Sequence, residues 1–127
     1  MNFKNKSKSI VILDWDNTLF PTTWINENNI NLDNLDIKKK YFNKLDNLIF
    51  TLFKQILLYS DIIIITNAMP EWINICVNKV LPKTNIIIKD IKIISARKNY
   101  KKISNDMNDW KKFAFIDEID YNINNII

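Results

Sequence analysis

The chain has 127 residues, of which 47% are hydrophobic and 25% charged, with a net charge of +4; that is the size and balance of one globular domain with a core, and too little for two. It contains no histidine, which excludes Ser-His-Asp and Cys-His catalysis and histidine-held metals. It contains no glycine either, which excludes Walker and dinucleotide-binding glycine loops.

The start, Met1–Lys8, is polar and basic and is predicted to fray. Followed by an apolar stretch it has the outline of a signal peptide, but that stretch is short and Asp14 interrupts it. Ser9–Trp15 is predicted as the first strand. Phe20–Asn31, with Pro21, Thr22, Thr23 and Trp24, reads as a loop or flap over the strand's end. Asp33–Tyr59 carries Leu35, Tyr41, Phe42, Leu45, Leu48, Ile49, Leu52, Phe53 and Ile56 at helical spacing and predicts one long helix, or two with a kink, capped near position 33. Asp61–Thr66 is a second strand, apolar on both faces. Pro70 suits a first helical turn, and Trp72, Ile73, Cys76, Val77 and Val80 form that helix's buried side until Pro82 stops it. Ile86–Ile88 resists assignment. Ile91–Ser95 is a third strand, Asp109–Asp120 a helix, and Ile123–Ile127 the start of a fourth strand.

This alternation predicts an α/β domain: a central parallel sheet in a Rossmann-like, three-layer α/β/α arrangement. With no glycine, turns that need positive φ must fall on Asn or Asp. The single Cys76 can form no internal disulfide, which suits a reducing compartment. No apolar run reaches membrane-spanning length, so no membrane partner and a cytoplasmic location are expected. Lys38–Lys40 and the lysines from Lys98 to Lys102 could meet nucleic acid, although solvated helix faces explain them as well.

The chemistry concentrates at Ile10-Val11-Ile12-Leu13-Asp14-Trp15-Asp16-Asn17-Thr18. A buried strand has no reason to finish on paired carboxylates unless a site uses them. Residues two apart on extended backbone point the same way, so Asp14 and Asp16 face one small region at the strand's carboxyl end, where ligands bind in open α/β sheets. Paired carboxylates call for a cation, and oxygen ligands suit Mg²⁺. Thr66-Asn67 and Ser95 end the next two strands and converge on the same edge.

These stretches resemble the haloacid dehalogenase (HAD) superfamily. Asp14-Trp15-Asp16-Asn17-Thr18 is similar to its nucleophile motif, and Ile62 to Asn67 is similar to its second motif, an apolar strand ending in Thr or Ser. Trp110-Lys111 resembles the helix that carries its third, a lysine. Together with Pro21-Thr22 and Ile94-Ser95-Ala96-Arg97, they resemble a group of small capless members from protists, algae and large viruses. The resemblance implies a single HAD-like domain over 1–127 with little or no cap, and a Mg²⁺-dependent phosphatase. Asp14 would attack phosphorus to form an aspartyl-phosphate. Asp16 would act as general acid and then base. Asp14 and Asp16 would hold the metal, Thr66 and Asn67 the phosphoryl oxygens, and Lys111 would offset charge. An open site implies bulky phosphorylated substrates, macromolecules among them.

The superfamily's fourth, acidic motif has two candidate placements. If Asp109–Asp120 is helix, the fourth strand starts at Ile123 and no acid follows it. If Phe113–Ile116 is the strand, Asp117 or Glu118 supplies the acid. Lys98, Lys101, Lys102 and Lys112 compete with Lys111 for the third motif. Ser95 and Arg97 either line the site or serve local structure, and Trp15 and Trp72 are read as packing residues. A non-catalytic binding module is the alternative function, and a basic nucleic-acid-associated protein a third.

Overall fold

A computed structural model describes residues 9–126, with side chains as far as Tyr121. Met1–Lys8, predicted to fray, and Ile127, the end of the predicted fourth strand, lie outside the described residues. Three strands, β1 (Ser9–Leu13), β2 (Ser60–Thr66) and β3 (Lys92–Ser95), form one parallel sheet in the order β1-β2-β3. Leu13 pairs with Ile64 and Thr66 with Ser95, so the carboxyl ends of all three strands share one edge.

The central strand explains the layering. Ile62 and Ile64 pack into a cluster with Phe42, Ile49 and Phe53 of α2 (Lys39–Leu57) and with Ile73, Val77 and Val80 of α3 (Pro70–Val80). Ile63 and Ile65 face the other way, against Ala96 of α5 (Ala96–Tyr100) and Trp110 and Ala114 of α6 (Met107–Ile126). Four consecutive isoleucines are thus explained by helices on both sides of the sheet. The result is an α/β domain with helical layers around a three-stranded parallel sheet, compatible with a Rossmann-like fold.

Several elements depart from the sequence expectation. The flap Phe20–Asn31 contains a short helix, α1 (Thr22–Glu27). The long helix starts at Lys39 rather than Asp33, after a tight turn over Asp36–Lys38, and runs without a break. Pro82 ends α3 and also opens α4 (Pro82–Ile87), so the unassigned Ile86–Ile88 belongs to that helix and the turn after it. The predicted fourth strand is helical backbone as far as Ile126. The competing frame fails too, because Phe113–Ile116 lies within the same helix.

Three helix starts are capped by side chains, one of them distant in sequence and two immediately before the helix. The buried Asp46 of α2 accepts from Lys83 N (2.9 Å), Thr84 N (2.8 Å) and Thr84 Oγ1 (2.7 Å), closing the amino end of α4. Those N–H groups have no partner within their own helix. Asp106 Oδ1 accepts from Asn108 N at the start of α6 (2.9 Å), and Ser95 Oγ from Lys98 N at the start of α5 (3.0 Å). Positive φ occurs at Asn17 (61°), Asn29 (51°) and Asp36 (49°), the residue types expected where glycine is absent.

Cys76 is fully buried, and burial pushes its thiol up to about 12 from 9.0, with the charge of Asp16 adding to the rise. Tyr100, which donates to Asp117, is raised to about 12 from 10.0 by burial first and then by that carboxylate. Both groups stay protonated in the folded chain after they ionise in the unfolded one. Stability is therefore expected to fall as pH rises from about 9 toward 12, read as urea midpoints across that range. Cys76→Ser should remove the earlier part of the fall. Ellman's reagent at pH 8 should find no reactive thiol until the protein is unfolded.

Candidate active site

The loop after β1 is built around two buried rings. Trp15 and Phe20 are both fully buried and stack with centroids 5.6 Å apart. The Trp15 carbonyl accepts from Leu19 N and Phe20 N (3.0 Å each), and Asn17 N donates back to Phe20 O (2.7 Å). Asn17 takes the left-handed turn this closure needs. Its side chain then bonds Thr23 twice, at 2.9 Å each way, fastening the loop to the first turn of α1. With Trp15 turned inward, its neighbours Asp14 and Asp16 lie only part-buried at the sheet's edge.

Lys111 of α6 reaches Asp14 Oδ1 at 2.6 Å. The same oxygen accepts from Trp15 N (2.8 Å), and Asp14 Oδ2 accepts from Thr18 Oγ1 (3.2 Å). Asp16 is held by three other segments. Its Oδ1 accepts from Thr22 Oγ1 of α1 (2.5 Å) and from Trp72 Nε1 of α3 (2.8 Å). Its Oδ2 accepts from Thr66 Oγ1 at the tip of β2 (3.2 Å), and that hydroxyl accepts in turn from Ala68 N (3.0 Å). Asp14, Asp16, Thr66 and Lys111 thus meet at one edge of the sheet. Among the lysines that competed for this place, Lys111 is the one paired with Asp14.

Asn67 lines the same edge beside Asp16 and has one amide hydrogen engaged elsewhere. Its Nδ2 donates to the Met107 carbonyl (3.3 Å), and its buried Oδ1 has no hydrogen-bond partner among the described residues. Ser95 serves local structure: its hydroxyl donates to Ala68 O (2.8 Å) and caps α5. The two acids offered for a fourth motif lie along α6, where Asp117 accepts from Tyr100 and Glu118 pairs with Lys92 at 2.8 Å. Trp15 is a packing residue as expected. Trp72 also packs, edge-on to Phe20, but its N–H is spent on Asp16, a role that sequence reading missed. Thr22 was missed as well. The available signal was position, since Trp72 sits in the first turn of the helix that follows the tip of β2.

Beside Asp16 opens a cleft of about 530 Å³, walled by Trp72, Asn67, Ala68, Arg97 and Met107. Arg97 Nε donates to Asn67 O (2.9 Å), and the guanidinium lies 5.3 Å from the centre of the Trp110 ring.

The donor set for a cation is small. Asp14 Oδ2 accepts only a hydroxyl, and no donor among the described residues reaches the Asp16 carbonyl. The Asp16 carboxylate is occupied by its three donors. Among the described residues no group of three or more His, Cys, Asp or Glu side chains could hold a metal. One carboxylate and one carbonyl fit a hard cation that draws its remaining ligands from water and a bound phosphate, which is how Mg²⁺ commonly binds. No helix among the described residues is long and apolar enough to cross a membrane. Comparison with family models, curated proteins and solved structures found no match to this chain.

Proposed function

We propose that the chain is a phosphohydrolase of the haloacid dehalogenase type, with Asp14 as nucleophile. The observation that carries this reading is the Lys111–Asp14 pair at 2.6 Å, beside Thr66 on Asp16, at adjoining tips of a parallel sheet. A carboxylate with its own ammonium partner can meet a phosphate dianion with less repulsion. Asp14 attacks phosphorus, the ester P–O bond breaks, and an acyl phosphate forms on the Asp14 carboxylate. Asp16 first takes a proton from solvent on the Oδ2 that Thr66 vacates, gives it to the leaving oxygen, and later takes one from the water that hydrolyses the acyl phosphate. Thr22 and Trp72 fix the orientation of Asp16 through both steps. When a phosphate binds, the Thr66 hydroxyl turns its one hydrogen from Asp16 to a phosphoryl oxygen, and Asn67, which spends one amide hydrogen on the Met107 carbonyl, offers the other. Mg²⁺, held by the Asp14 carboxylate and the Asp16 carbonyl, would supply further charge neutralisation. The short α1 stands where a larger cap would be, which leaves the site open.

The test is release of phosphate from p-nitrophenyl phosphate across a Mg²⁺ titration. Turnover that needs Mg²⁺ well in excess of protein is expected, because the donor set is thin. No turnover at any Mg²⁺ concentration in folded protein rejects the enzyme reading. A second reading, a non-catalytic module of the same fold, draws on the absence of a third acid among the described residues. It expects beryllofluoride to bind with Mg²⁺, binding to be lost in Asp14→Ala, and no ester to turn over.

A further inference from the structure

The cleft beside Asp16 has one cation in its wall. Among the described residues Arg97 is the only basic one lining it and Asp16 the only acid, while Trp72, Ala68 and Met107 give it apolar sides. Arg97 is half-buried and already positioned. Its Nε is spent on the Asn67 carbonyl at 2.9 Å, and its plane is supported by the Trp110 ring at 5.3 Å. A guanidinium has five N–H donors, so the Nη fork is left over. Among the described residues, no carboxylate pairs with it. An immobilised fork in an apolar cleft with no protein anion to bind is an anion-recognition element, since its geometry matches carboxylate or phosphate oxygens two at a time. The reacting phosphate already has Lys111 at Asp14, and Arg97 bonds neither aspartate.

We propose that Arg97 determines specificity by binding a second anionic group on the leaving portion of the substrate. The substrate class is then a phosphate monoester of a ring-sized apolar alcohol or phenol that carries its own carboxylate or phosphate. The cleft volume of about 530 Å³ accommodates such a body. The kinetic part of this inference rests on the hydrolase reading above. The binding part rests on the cleft alone.

The experiment compares aryl phosphates bearing a para carboxylate, directly or on a one- or two-carbon arm, with the matching carboxamides. The two series have nearly the same shape and differ in one charge. Wild-type kcat/KM is expected to favour the best carboxylate by about tenfold or more, because a site built for a polar partner discriminates strongly against its neutral analogue. Arg97→Gln should bring the carboxylate ester down to the level of the carboxamide, and Arg97→Lys should keep part of the preference. Calorimetry with the corresponding non-hydrolysable phosphonates gives the same comparison without turnover. If the esters are inert while the phosphonates still show the Arg97-dependent preference, the hydrolase reading has failed and this one stands. Absence of any carboxylate preference in the wild type overturns the proposal. So does an equal slowing of both ester series by Arg97→Gln, which would place Arg97 on the transferred phosphate.

Discussion

Asp14→Asn is expected to abolish phosphate release, a loss of at least about 10⁴-fold in kcat, with little change in melting temperature. The substitution is isosteric. The amide oxygen can take the Oδ1 position and go on accepting from Trp15 N and Lys111. The amide nitrogen then faces Thr18 Oγ1, a hydroxyl that can rotate to accept. The fold thus keeps its contacts while the anionic nucleophile is gone. The Asp14–Lys111 pair is about one-third exposed on each side, so its loss should cost well under about 1 kcal/mol of stability. Phosphate release and a thermal melt on the same preparation read both halves. A variant that unfolds would show Asp14 to be structural, and one that still turns over would show that another residue attacks phosphorus.

The largest stability effect is expected far from the site, at Asp46. Its buried carboxylate accepts both free N–H groups at the start of α4 and the Thr84 hydroxyl. Asp46→Ala strands these donors where water cannot replace the lost acceptor. The expected cost is about 3–4 kcal/mol, from the loss of a cap and of charge-assisted hydrogen bonds at a buried position. That corresponds to roughly 10–20 °C in melting temperature for a domain of this size. Asp46→Asn should fall between, since its single oxygen can serve only some of the three donors. Urea or thermal unfolding decides the matter. A loss below about 1 kcal/mol in Asp46→Ala would mean that α4 finds another cap or contributes little.

The sheet was legible because its signal is local. Ile62–Ile65 can only be buried on both faces, and the carboxylates that end the run in β1 mark an edge where chemistry collects. Lys111 could be placed on Asp14 only by resemblance, since nothing in a lysine-rich chain separates it from its neighbours. What stayed hidden depends on distant partners. α1 has six residues and opens with two β-branched threonines, and its anchor is the side chain of Asn17. α4 opens at a proline that reads as a stop, and its cap comes from α2. The end of α6, Tyr121-Asn122-Ile123-Asn124-Asn125-Ile126, has the partial alternation of a strand. Yet its backbone continues a helix already nucleated upstream, where adding residues costs less than starting a new element. The function of Trp72 was obscured by its ring, which does pack while its single polar atom serves Asp16.

The three left-handed residues among those described have a thermodynamic counterpart in the denatured chain. Placing Asn17, Asn29 and Asp36 in that region costs the native state up to about 1–2 kcal/mol apiece. Every position of a glycine-free chain, however, roams a narrower range of conformations once denatured, and so gives up less disorder on collapsing. Local discomfort at three bends is set against a poorer random coil along the whole backbone.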